Sequence, residues 1–216
     1  MNQLRKHVVT TGTGRCGTTF LVELFTNLGF DTGFSKDELS SKKNKVARAG
    51  LEFDIRSENC PFIVKSPFFC DYAKEIVHRD DIAIEHVFIP IRDLNAAAES
   101  RRYVVQTAVS GLPLLKRLKH LVRPRKIRGG LWNTNSSKPG IQEEILLGQI
   151  YKLMLAISDT TIPVTFLRYP RIVKDCRYLF EKLEPMVRDI PYESFCAVFK
   201  KTARPELARC FNQNDR

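Results

Sequence analysis

Thr10-Thr-Gly-Thr-Gly-Arg-Cys-Gly-Thr-Thr-Phe-Leu21 constrains this chain more than any other stretch. It follows a short apolar run, His7-Val-Val, and opens into the amphipathic segment Phe20 to Leu28, so its context is strand, loop, helix. The spacing Gly12-x4-Gly17-Thr18-Thr19 is that of a loop that cradles nucleoside triphosphates, except that Thr18 stands where the lysine belongs. Glycines let backbone wrap an anion, the loop N–H groups point inward, and the following helix adds its positive end. The cation sits instead at Arg15, inside the loop. That exchange argues against ATP chemistry, which uses the loop lysine on the β- and γ-phosphates.

A second motif lies on a later strand. Ile84-Glu-His-Val-Phe-Ile-Pro-Ile91 is an apolar run, and Arg92-Asp-Leu-Asn-Ala-Ala-Ala-Glu-Ser100 follows it. Arg92 can fork onto a phosphate, and Ser100, two turns along a helix, can donate a hydroxyl. A third run, Pro61-Phe-Ile-Val-Lys65-Ser66, ends in a lysine.

Together these fragments resemble the sulfotransferases that use 3′-phosphoadenosine 5′-phosphosulfate (PAPS). The loop around Arg15-x-Gly17-Thr18-Thr19 is similar to their 5′-phosphosulfate loop. Arg92 and Ser100 match the strand-end Arg and the Ser eight residues later that grip the 3′-phosphate. Lys65-Ser66 matches their Lys-Ser/Thr strand end. Some members continue there with a catalytic His; Pro67 takes that place here. A looser likeness runs through Ile162 to Asp175, where Tyr169 survives from a Tyr-Glu-Asp-Leu-type turn but Pro170 and Arg171 replace the acidic pair. The resemblance implies a P-loop NTPase-like α/β fold: three αβα layers around a mostly parallel sheet.

It also implies a chemistry. Transfer of a sulfuryl group from PAPS to an acceptor hydroxyl or amine, leaving 3′,5′-ADP (PAP), is largely positioning and charge stabilisation. Thr13, Gly14, Arg15, Cys16, Gly17, Thr18 and Thr19 would hold the 5′-phosphate, and Arg92 and Ser100 the 3′-phosphate. Arg15 and Lys65 would act as cations on the reacting sulfate, with no metal. For the base the family places a carboxylate just beyond the loop helix, so Glu38 is the first candidate, ahead of Asp37 and of Glu52. His78 and His86 rank lower. Two other classes stay open: an ATP-using kinase or NTPase, and a non-catalytic nucleotide-binding module of the same fold.

Composition sets the frame. A chain of 216 residues fits one domain with a sizeable core, with a polar tail after about residue 205. No apolar run reaches membrane-span length, which leads to the expectation of a cytoplasmic protein without a membrane anchor. The six cysteines (16, 60, 70, 176, 196, 210) show no C-x-x-C pair or metal spacing, so free thiols are expected. Cys16 is either a small residue that fits the loop or an electropositive thiol at a helix start. The formal charge of +11 concentrates at Lys36 to Arg48 and Lys116 to Arg128. A polyanionic nucleotide accounts for part of it, and no nucleic-acid module is present.

Hydrophobic spacing predicts strands at 7–11, 61–65, 84–91 and 162–167, and helices at 17–28, 69–79, 94–107, 140–158, 171–185 and 191–200. Helix-length crossovers between strands imply a parallel sheet, whose ligands sit at the carboxyl ends of its strands. Residues 31–58 and 108–139 are irregular. The second holds Arg125, Lys126, Gly129, Gly130 and the single tryptophan, Trp132, which fit either a lid over the cofactor or acceptor or a solvated basic loop.

Overall fold

The computed structural model describes residues 4–44, 47–122, 125–127, 129–133, 138–209 and 211. Lys45 of the first basic run, Arg123, Pro124 and Arg128 of the second, and Cys210 lie outside these residues. The elements run β1 (Arg5–Thr10), α1 (Thr18–Leu28), α2 (Glu38–Ser41), β2 (Ile63–Lys65), α3 (Phe69–Ile76), β3 (Ile82–Ile91), α4 (Leu94–Ser110) and α5 (Leu114–Val122). They continue α6 (Ile141–Ser158), β4 (Val164–Arg168), α7 (Arg171–Lys174), α8 (Cys176–Lys182), α9 (Glu184–Val187) and α10 (Tyr192–Thr202), with a 3-10 turn at Pro205–Leu207.

The four strands form one parallel sheet in the order β2-β1-β3-β4. Side chains alternate across a strand, and each strand feeds both faces. Val8, Ile63, Phe88 and Leu167 pack with α1 and the helices after β4, including Phe25, Leu179 and Phe195. Their neighbours Val9, Val64, Val87 and Ile89 pack with Phe69, Ala73 and Ile76 of α3 and Leu153 and Ile157 of α6. Helices therefore cover both faces of the sheet, and burying each such side chain contributes about 1.5–3 kcal/mol. The chain leaves β1 toward β2 on one side, then crosses to β3 on the other. The strand order thus reverses at the carboxyl end of β1, where an α/β sheet opens a crevice for ligands.

Several boundaries differ from the sequence expectation. β1 begins two residues early because Arg5 and Lys6 find partners in Ile82 and Ala83. Only Ile63–Lys65 of the 61–65 run is strand. Residues 171–185 are three short helices rather than one. Asp175 turns extended (φ −121°, ψ 98°) and its carboxylate caps the Tyr178 N–H at 2.9 Å, restarting the helix, and Pro185 opens α9. Inside the stretch read as irregular, Gly111 and Pro113 come just before α5; proline is at home before or in a first helical turn.

The free-thiol expectation needs correcting too. Cys176 on α8 and Cys196 on α10 form a disulfide across two helices packed on the same core, with Cα atoms 6.1 Å apart. Cys16, Cys60 and Cys70 are free. A disulfide gives the intracellular reading no support. No helix among the described residues is long and apolar enough to cross a membrane.

The cross-link closes a loop of 20 residues. Reduction, or Cys176→Ser with Cys196→Ser, should therefore lower unfolding stability by about 3 kcal/mol. Non-reducing peptide mapping should recover Cys176 and Cys196 in one cross-linked species. Recovery of both as free thiols would contradict the pairing.

Candidate functional site

The loop between β1 and α1 is built around backbone conformations that side chains resist. Gly14 and Gly17 have φ of +69° and +93°, and Arg15, between them, takes φ +62°. A Cβ on Gly14 would lie 2.5 Å from Arg101 Nη2, and one on Gly17 2.7 Å from Ile172 Cδ1. Gly17 also starts α1 with no side-chain cap and no acidic residue in the first turn. The first-turn N–H groups and the positive helix end are thus left for an external acceptor.

Asp93 fixes the second contributor. Its carboxylate accepts from Ala96 N at 2.9 Å and starts α4 directly after β3. Ala97, Ser100, Arg101 and Val104 then fall on the buried face of α4. Arg15 Nε donates to Ser100 Oγ at 3.1 Å, and Arg92 Nη1 to the Arg15 carbonyl at 3.2 Å. Arg92 is 6% exposed, lies 5.0 Å over the Tyr169 ring, and also donates to the carbonyl of Arg209. Arg15, Arg92 and Ser100, distant in sequence, are in direct contact.

Lys65, at the end of β2, is 3% exposed. Its ammonium donates to Thr19 Oγ1 at 2.9 Å, to the Gly50 carbonyl at 2.5 Å and to Glu52 Oε1 at 3.1 Å. A second strand end therefore brings its cation to the glycine loop after β1. It also brings a carboxylate.

These groups line one cavity of about 640 Å³ at the carboxyl edge of the sheet, within the range of small-molecule sites, roughly 300–1,000 Å³. Among the described residues, nine Lys and Arg and two acids, Glu23 and Glu52, border it. One wall is Lys126, Ile127, Gly129, Gly130, Leu131 and Trp132, so this part of the 108–139 stretch is a wall of the cavity. Phe68 packs edge-on against Trp132 at 4.8 Å, and Lys126 lies over both rings. Leu207, Ala208 and Arg209, past the onset of the expected tail, complete the lining.

Arg101 escaped the sequence reading. It is 5% exposed and donates to the Gly130 carbonyl at 2.5 Å and to the Thr13 carbonyl, joining the β1–α1 loop to the Trp132 wall. The signal was present: an arginine four residues after Ala97 and three before Val104, on a small-residue helix face. Among the described residues neither Arg15 nor Arg101 has a carboxylate partner. Burial pushes Arg15 down to about 10, helped by Arg209 and Arg92, and Arg101 down to about 9, helped by Arg15. Both values leave the side chains charged at neutral pH, so the cavity concentrates uncompensated positive charge. A bound polyanion would relieve it.

The remaining expected residues fall elsewhere. Thr13 and Cys16 are buried beneath the loop, outside the lining; burial raises the Cys16 thiol, which fits a small packing residue rather than a reactive one. Gly14, Gly17, Thr18 and Thr19 line the cavity. Glu38 does not. It is exposed at the start of α2, where its Oε2 accepts from Ser35 N at 2.9 Å and Ser35 Oγ at 3.0 Å, and these bonds lower its pKa. Glu38 holds a local turn, whereas Glu52 faces the cavity. No group of His, Cys, Asp and Glu with metal-site geometry occurs among the described residues. Comparison with family models, with curated proteins and with solved structures finds no match.

Gly17→Ala tests the loop geometry. The new Cβ would force a positive φ on alanine and meet Ile172, so unfolding stability should fall by about 1–3 kcal/mol in denaturant titrations. Wild-type stability would contradict this loop conformation.

Proposed function

We propose that this protein is a PAPS-dependent sulfotransferase. The observation that carries the reading is the contact of Arg15 with Ser100 and Arg92, which joins the lysine-free phosphate loop to the end of β3 in one cation-rich cavity. The cavity fits a nucleotide with two separated anionic ends. The loop and the α1 N-terminus would receive the 5′-phosphosulfate, and Arg92 with Ser100 the 3′-phosphate.

In this reading Arg15 and Lys65 stabilise charge on the bridging and equatorial oxygens as the acceptor oxygen or nitrogen bonds to sulfur and the sulfur–oxygen bond to the nucleotide breaks. Arg15 acts electrostatically, since arginine does not give up its proton near neutral pH. The acceptor proton goes to a carboxylate, and Glu52 takes the role first assigned to Glu38 because it faces the cavity 3.1 Å from Lys65 Nζ. Binding to Lys65 also keeps the Glu52 carboxylate oriented. Trp132 and Phe68 offer an apolar surface beside the cations for the acceptor or the base of the nucleotide.

Sulfate transfer from labelled PAPS to a panel of sugar, phenol and peptide acceptors tests the activity. Transfer is expected with at least one class; tight nucleotide binding with no transfer across the panel would favour a non-catalytic module. Arg92→Ala should weaken 3′,5′-ADP binding by about ten- to a hundredfold, the usual cost of a charge-assisted contact. An unchanged dissociation constant would remove Arg92 from the phosphate site.

Lys65→Ala should reduce turnover far more than nucleotide affinity, because its contact strengthens as charge develops. Glu52→Gln should depress turnover and flatten the acid limb of its pH profile, while Glu38→Gln should leave both unchanged. A flattened profile in the Glu38 variant instead would return the base to α2.

A further inference from the structure

The 43 residues from Ser100 to Gln142 contain no aspartate or glutamate and ten lysines and arginines. In the middle of this span α5 stands off the body of the protein, touching mainly α4. Leu114, Leu115 and Leu118 are 71%, 76% and 51% exposed. On a helix these three positions fall within an arc of about 100°, and Arg117 and Lys119 flank that arc on either side. Arg117 is braced by bonds to the Ser110 and Leu112 carbonyls, the second at 2.8 Å. Among the described residues no acidic side chain pairs with Lys116, Arg117 or Lys119.

We propose that α5 is a membrane-surface helix that docks this protein on anionic phospholipid. The three leucines would enter the boundary between headgroups and acyl chains, and Arg117 and Lys119 would lie level with the headgroup charge. Charge selects this occupant. A second copy of the same face would bring cations against cations on a chain of formal charge +11. An anionic lipid surface instead matches an apolar patch amid dispersed positive charge. The span also supplies Lys126 and Trp132 to the cavity wall, so docking through α5 would hold the cavity near the bilayer.

Vesicle sedimentation with the full chain tests this. The protein should sediment with vesicles of equimolar phosphatidylserine and phosphatidylcholine at least about tenfold more strongly than with phosphatidylcholine alone, and salt should weaken the binding. Leu115→Glu with Leu118→Glu should abolish sedimentation with an unchanged thermal midpoint, since both side chains are already in water. Arg117→Gln with Lys119→Gln should weaken the preference for the anionic vesicles. The proposal fails if neither vesicle binds, if both bind equally, or if the leucine variant still sediments. Self-association that the leucine variant abolishes, without vesicle binding, would overturn it in favour of a second copy.

Discussion

A buried arginine, Arg101, holds this site together. Taking a guanidinium out of water is costly unless its N–H groups are met, and here the carbonyl oxygens of Gly130 and Thr13 meet Nη1 and Nη2, while Nε is buried without a partner among the described residues. The same two bonds join the β1–α1 loop to the Trp132 wall. Close packing fixes the loop further, since Gly14 leaves no room for a Cβ above Arg101 Nη2. The loop's shape, the wall's position and the positive field of the cavity thus share one side chain. Arg15 then meets a site already charged, and both guanidinium groups titrate below their ordinary range.

The sheet order explains why these groups meet. With β1 between β2 and β3, the ends of three strands open on one crevice. Each delivers a cation or a glycine turn: Lys65 from β2, the glycine loop from β1, Arg92 from β3. α4 adds Ser100 and Arg101 because the Asp93 cap sets its rotation. A site assembled this way gathers cations from three strand ends and from α4 around one cavity.

Much of this was legible in the sequence where local rules dominate. The glycine loop, the apolar strand runs and the Arg92–Ser100 spacing are short-range patterns, and the structure brings Arg15, Lys65, Arg92 and Ser100 to one cavity. Arg101 was missed because its importance comes from carbonyls 88 and 29 residues away, which no local pattern records. Glu38 looked suitable by distance along the chain, yet Ser35 captures it; Glu52 reaches the cavity through its tertiary pairing with Lys65. The Cys176–Cys196 bond likewise depends on how α8 and α10 pack. α5 was hidden by its flanking glycine and proline, which mark loops as often as helix starts.

The central claim is that the cavity is organised for a nucleotide bearing a 3′-phosphate. Calorimetric titration of 3′,5′-ADP and 5′-AMP, without magnesium, tests it most directly, because the two ligands differ only in that group. The account predicts binding of 3′,5′-ADP at least about tenfold tighter, the scale of one charge-assisted contact. Equal affinities, or binding of ATP with magnesium in preference to both, would contradict it.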